Sequence, residues 1–236
     1  KMSILNDKLK IKKTYNLKTK NIYQNILKKK FLNKFKKKNL YEKVLFSSVV
    51  QKAFKIIKKD LLKKRFNVLE IKEIDIKKII KIKVKNYYQL GSDRISNAVG
   101  SLKYNNSIII DFGTATTFDI VKNGTYEGGV ISPGINLSIL NLNKSTALLP
   151  ILNLKKMQKS YGKNTQEALN AGFLWGYEGL INNIIKKICS KSNLKFKIIL
   201  TGGYAKLFKR YIKSKTIIDQ DITIKGIANI FKRIIL

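Results

Sequence analysis

Residues 107–131, SIIIDFGTATTFDIVKNGTYEGGVI, constrain the fold more than any other segment of the chain. Short β-prone runs at 107–112, 116–121 and 125–131 are separated by turn residues, the second turn being Asn123-Gly124. That pattern predicts an antiparallel meander of three strands. The first turn begins at Asp111 and passes through Gly113 into Thr114, Thr116 and Thr117. It is expected to present backbone N–H groups, three hydroxyls and one carboxylate on the same side. Glycine lets a phosphate approach the backbone, and the N–H groups and hydroxyls donate to it. A carboxylate beside them suits the cation that accompanies a nucleotide. Asp-Phe-Gly also occurs in protein kinases, but the Gly-rich loop, V-A-I-K strand and H-R-D loop that accompany it there are not found. An ordinary hairpin with a polar turn is the alternative reading of this segment alone.

Composition narrows the chemistry. The chain of 236 residues contains no histidine, so acid–base work falls to Asp, Glu, Lys or Tyr. One cysteine, Cys189, excludes a disulfide framework within the chain and points to a reducing compartment. No run of about 18 apolar residues is present, so no membrane span is expected. The formal charge of +35 resembles a nucleic-acid footprint. Yet the 49 basic residues include only four arginines, Arg65, Arg94, Arg210 and Arg233. A surface evolved to read bases or fork phosphates favours Arg. Lys, Ile and Asn share A/T-rich codons, so a coding bias accounts for the charge better than a specific nucleic-acid partner does.

Along the chain, Met2–Leu5 and Leu9–Ile11 flank Asn6-Asp7 as a hairpin. Residues 21–38 read as a basic amphipathic helix with Ile22, Ile26, Leu27, Phe31 and Phe35 on one face. A strand at 44–50, a helix at 51–65 and a strand near 67–71 follow. The state of residues 74–84 stays open between strand and helix, and 86–90 reads as a linker. After the meander come helices at 135–143 and 165–189, the latter with Thr165 at its start and Glu167 in its first turn. A strand at 196–200 leads into Thr201-Gly202-Gly203; a helix, a strand at 216–218 and a helix at 225–234 close the chain. These divide into domains 1–90 and 91–236. The halves share a plan, but the counterpart of strand 107–112 and its turn is not found in the first half. A segment of roughly ten to fifteen residues, about one strand and a turn, is therefore expected to be missing ahead of Lys1.

Further polar and glycine-rich pieces surround the meander. Gly91-Ser92-Asp93-Arg94 opens a helical stretch, where Ser92 or Asp93 reads as an N-cap. Asp93 can equally accept a proton from a substrate hydroxyl that attacks a phosphoryl group, with Arg94 binding substrate or orienting it. Gly128, Gly129 and Gly134 mark close backbone approach, Asn164 and Thr165 another helix start, and Gly202 and Gly203 a surface for a flat base.

Together SSVV, GSDR, IIIDFGTATTFDIV, GGVISPGINLS, LLP, NTQEALNAGF, WGYEGLI and LTGGYA resemble type III pantothenate kinase, in that family's order and spacing. The resemblance is dense over 91–203. It implies an α/β fold of two RNase H-like domains around an ATP cleft, as in the acetate and sugar kinase, Hsp70 and actin superfamily. It implies ATP-dependent phosphorylation of pantothenate, the first step towards coenzyme A. It implies Asp93 as general base, with Gly91, Ser92, Asp93, Arg94 and Thr165 as pantothenate contacts. Gly113, Thr114, Gly202 and Gly203 would bind ATP, and Asp111 a monovalent cation, potassium or ammonium. Mg2+ as cofactor, a homodimer and a cytoplasmic location follow from the same resemblance. Two departures stand out: Val84 occupies a position where relatives carry a pantothenate-contacting Tyr, and the N-terminal D-x-G-N-T phosphate motif is not found. A form without that motif is expected to be weak or inactive. A basic nucleic-acid-binding or regulatory protein on the same fold, and another small-molecule kinase of the superfamily, are the competing readings.

Overall fold

The structure, a computed structural model, describes residues 1–6, 8–35, 42–154 and 160–234. The chain forms two compact units: Lys1–Lys81, Lys85–Gly100 and Thr223–Leu236 make the first, and Ile82–Val84 with Ser101–Ile222 the second. The chain passes between them after Gly100, ten residues beyond the 90/91 boundary read from sequence, and the last helix groups with the first unit.

In the first unit, β1 (Met2–Leu5) pairs antiparallel with β2 (Ile11–Tyr15). Asn6 closes the turn: its side chain accepts from the Lys10 amide at 2.8 Å, and Leu9 adopts φ 56°. Asp7 lies outside the described residues. The helix expected over 21–38 is two pieces, α1 (Thr19–Ile22) and α2 (Asn25–Leu32), because Gln24 is extended; 36–38 lie outside the described residues. The break resets the buried face. Phe31, Leu32 and Phe35 enter the core, whereas Ile26 is 82% exposed. Next, β3 (Lys43–Phe46) pairs in parallel with β4 (Asn67–Glu70) through the crossover helix α3 (Gln51–Lys63). Ser47–Val50, expected to continue the strand, is a loop with Val49 and Val50 exposed. Residues 74–84 form neither α-helix nor strand but one short 3-10 turn, Ile76–Lys78, and one isolated bridge, Ile82 to Tyr126 within the second unit.

Two helices complete this unit, α4 (Ser92–Ser101) and, from Thr223 on, the last helix (Ile222–Ile234). They approach so closely at Gly226 that a Cβ there would lie 1.8 Å from the Ser96 carbonyl oxygen. Thr223 Oγ1 and Asn97 Oδ1 are hydrogen-bonded at 2.7 Å nearby.

The second unit carries one sheet of five strands. β5 (Ser107–Phe112), β6 (Ala115–Lys122) and β7 (Thr125–Pro133) form the expected meander, with Asn123 and Gly124 at φ 48° and 68° as a type I′ turn requires. Helices α5 (Ile135–Lys144) and α6 (Thr165–Cys189) lead to β8 (Lys197–Gly202), α7 (Ala205–Phe208) and β9 (Thr216–Ile218); the last helix is α8. The order is β7-β6-β5-β8-β9, with β5 parallel to β8 and β8 parallel to β9. This is the RNase H-like arrangement that the resemblance implies. As the central strand, β5 is buried on both faces, which explains its unbroken Ile108-Ile109-Ile110 run. Ile108, Ile110 and Phe112 pack with Phe118 against Leu174, Tyr177 and Phe208. The pairs β1–β2 and β3–β4 of the first unit repeat the flanks of this sheet; among the described residues no strand joins them as β5 does.

Replacing Gly226 by Ala forces a methyl into the Ser96 backbone, which cannot withdraw as a flexible side chain would. The expected cost is about 2–3 kcal/mol, read as a melting temperature lower by about 5–10 °C. A Gly226→Ala protein that melts like the wild type would remove the tight α4–α8 contact from the packing described.

Candidate active site

Strand register builds the polar turn of the second unit. At the C-terminal end of β5, Asp111 stands opposite Thr117 of β6 and Thr201 of β8. Side chains alternate along strands, so these three share the face opposite Ile110 and Phe112. Thr116 does not join them. It lies within β6 and points with Phe112 into the other face, fully buried, its hydroxyl without a partner. The expectation of three turn hydroxyls on one side thus gives way to Thr114 and Thr117, because the chain is already a strand at Ala115.

Gly113 and Thr114 are exposed at the turn itself. The Gly113 amide donates to the Ala115 carbonyl at 3.1 Å, closing it tightly. Gly202 ends β8 beside it at φ 84°, and a Cβ there would fall 2.6 Å from both Asp111 Oδ1 and the Phe112 carbonyl oxygen. The Gly203 amide donates to that carbonyl at 3.0 Å, and Gln220 Nε2 donates to the Gly202 carbonyl at 3.1 Å. Asp111, Gly113, Thr114, Gly202 and Gly203 are therefore one constellation, gathered from two neighbouring strand ends. Gly134 holds it from below, where a Cβ would meet the Thr114 carbonyl oxygen at 1.8 Å.

Thr165 lies in the same unit but on another element. It is the first residue of α6, exposed, behind Asn164, whose side chain caps the helix by accepting from the Glu167 amide at 2.9 Å. Glu167 in turn accepts from the Lys163 amide at 2.9 Å. Thr165 lines a groove of about 650 Å³ with Pro133, Leu142, Leu149, Phe173 and Tyr177. Tyr177 Oη donates to the Pro133 carbonyl at 3.2 Å and shares a 2.8 Å hydrogen bond with Ser138, fixing the groove wall.

Gly91, Ser92, Asp93 and Arg94 belong to the first unit, at the start of α4. Their side chains part company. Ser92 is fully buried and donates to the Ser48 carbonyl at 3.1 Å. Asp93 is half-buried, and its Oδ1 accepts from the Arg94 amide at 2.8 Å. That oxygen lies over Gly91, where a Cβ would sit 2.4 Å away. Asp93 thus turns its carboxylate back over a residue that has no side chain to obstruct it.

Two buried carboxylates went unread in the sequence. Asp119, fully buried in β6 on the Asp111 face, accepts from Tyr126 Oη at 3.0 Å. Glu70, 4% exposed at the end of β4, accepts from the Lys72 amide at 2.6 Å. The signal for Asp119 was a polar residue at an inward strand position, flanked by Phe118 and Ile120. Glu70 offered none, since a charged residue at a strand end is ordinary.

Comparisons with known proteins place the chain in a family. A family model described as type III pantothenate kinase matches residues 1–187. A type III pantothenate kinase from Pelagibacter ubique is 46% identical over 230 residues, 96% of this chain and 92% of that protein. One from Sulfurihydrogenibium is 40% identical over 189 residues, 78% of this chain and 75% of the relative. Among solved structures, a Campylobacter jejuni protein assigned to the Baf family of transcriptional activators shares the fold with TM-score 0.57 at 21% identity, over 83% of this chain and 84% of its own. The chain belongs to the type III pantothenate kinase family, whose members transfer phosphate from ATP to pantothenate.

Proposed function

We propose that Asp93 is the general base of this phosphoryl transfer. The observation that carries the proposal is the opposite placement of neighbours: Ser92 is locked inward while the Asp93 carboxylate stays half-exposed over Gly91. Asp93 takes the proton as the pantothenate hydroxyl attacks the terminal phosphorus of ATP, and the ADP oxygen leaves with the electron pair. Arg94, beside it, binds the substrate's own carboxylate or orients Asp93. Gly91 and Ser92 contribute through their backbone, and Thr165 with its hydroxyl. Gly113 and Thr114 hold the ATP phosphates through a closely approaching backbone and one hydroxyl. Gly202 and Gly203 leave room for the flat base.

The Asp111 turn fits a monovalent cation on one structural observation: without a Cβ at Gly202, space remains against Asp111 Oδ1. Asp111 would hold potassium or ammonium, which offsets negative charge at the phosphates. Magnesium keeps most of its waters and binds through phosphate oxygens, so it needs few protein ligands.

A homodimer is part of the same reading. Leu137, Leu140 and Leu142 of α5 and Trp175 of α6 are exposed, with Leu148 at 91% exposure in the loop after α5. A Cβ at Gly172, Gly176 or Gly179 would meet nothing within 4 Å, so α6 presents a smooth face that a second copy can approach. A cytoplasmic location belongs to the same reading; among the described residues no helix is long and apolar enough to cross a membrane.

Three variants test these roles. Asp93→Asn is expected to lower kcat by about 10²–10⁴-fold while the melting temperature stays put; undiminished turnover would reduce Asp93 to a helix cap. Gly91→Ala is expected to displace only the end of the Asp93 side chain, so activity should fall steeply in a protein of near-native stability. Wild-type kinetics there would mean that the carboxylate does not work from its position over Gly91. For the dimer, Gly176→Arg should yield monomers by sedimentation velocity where the wild type sediments as a dimer; an unchanged dimer would move the interface elsewhere.

A further inference from the structure

The segment Ser47-Ser48-Val49-Val50 has no part in the roles above, yet it touches the start of α4, one residue before Asp93. Ser92 Oγ donates to the Ser48 carbonyl across a separation of 44 residues. A helix N-cap accepts from amides of its own first turn. A hydroxyl bound to a carbonyl can only donate, so this bond of Ser92 is not a cap. Ser96 Oγ donates to the Ser92 carbonyl at 2.7 Å, which leaves the Ser92 side chain and carbonyl both engaged.

Ser48 is held in turn. Its hydroxyl donates to the Val50 carbonyl at 3.3 Å, and its amide faces Glu70 Oε1 at 3.5 Å. The other carboxylate oxygen of Glu70 accepts from Lys72, and the Glu70 amide donates to Glu73 Oε2 at 3.0 Å. Glu70 is 4% exposed and Ser92 fully buried. A buried carboxylate is costly unless its oxygens are occupied, and here backbone amides from two segments occupy them. The connection runs from the end of β4, through the loop after β3, to the start of α4.

We propose that Glu70, Ser48 and Ser92 form a positioning relay that sets the Asp93 carboxylate. The proposal rests on Asp93 being the base. Ser92 pins the backbone inward one residue before Asp93; without that bond α4 keeps its helix but its first turn loses its anchor. A misplacement of about 1 Å at a reacting group can cost on the order of 10²-fold, so a partial loosening should cost about tenfold in kcat.

The test is a double-mutant cycle in the full chain, with Ser92→Ala, Glu70→Gln and their combination, and Asp93→Asn alongside. Each single variant should lower kcat about tenfold with the KM for ATP within about twofold of wild type. The double variant should be little worse than the poorer single one, because both break one relay. A merely structural role would instead lower the melting temperature and leave the kcat of the folded protein intact. Wild-type kcat in a folded Ser92→Ala, or effects that multiply in the double variant, would overturn the relay. Should Ser92→Ala not fold, Glu70→Gln decides: a fall in kcat at constant KM for ATP supports the relay, and unchanged kcat refutes it. Full activity in Asp93→Asn would remove the base assignment itself. Loss in Asp93→Asn together with normal relay variants would remove only the relay.

Discussion

Asp111 can end a strand buried on both faces only because Gly202, its neighbour on β8, has no side chain. Any Cβ at Gly202 would meet the Asp111 carboxylate and the Phe112 carbonyl, and the backbone there already stands at a φ that L-residues avoid. From this one contact much of the second unit follows. It sets β8 in parallel register against β5, turns the chain outward at Gly203, and lets the Gly203 amide close back onto Phe112. The Ile108-Ile109-Ile110 run then has nowhere to go but the centre of the sheet, with α5 and α6 burying one face.

The same device recurs at Gly91, with a different consequence. Gly202 faces rigid backbone as well as a carboxylate, so a side chain there strains the fold. Gly91 faces side chains alone, the tip of Asp93 closest and Arg94 Cγ at ordinary contact distance. The first glycine protects architecture; the second protects the position of one carboxylate, the proposed base. That contrast separates effects on stability from effects on turnover, which inspection of a glycine-rich sequence cannot do.

Most of the second unit was legible in the sequence, because its elements announce their ends. The Asn-Gly turn, Pro133-Gly134 and the Asn164 cap bound strands and helices within one or two residues, and α6 spans 165–189 as read. The first unit was harder. Lysine supports helix and tolerates loops alike, so the long basic stretch concealed the break at Gln24, and Ser47–Val50 looked like strand because Val is β-prone. Within the site, the residue types were readable but not their facing. Thr116 and Thr117 are adjacent and similar, and only strand register sends one to the core and the other towards Asp111. Ser92 and Asp93 are separated in the same way by α4.

The charge of +35 has a bearing on this chemistry that does not depend on any nucleic acid. ATP and pantothenate are both anions, and a strongly positive protein raises their local concentration and speeds encounter, more so at low salt. Such a field is indiscriminate: it draws in ADP, inorganic phosphate and polyanions equally. On the roles proposed for Asp111 and Asp93, discrimination comes from groups fixed by the fold: backbone amides, hydroxyls, carboxylates and one arginine, with none of the 45 lysines among the residues assigned a role. The abundant cation thus governs arrival and the scarce, anchored groups govern choice. That division lets lysine content drift with codon usage while the site keeps its chemistry.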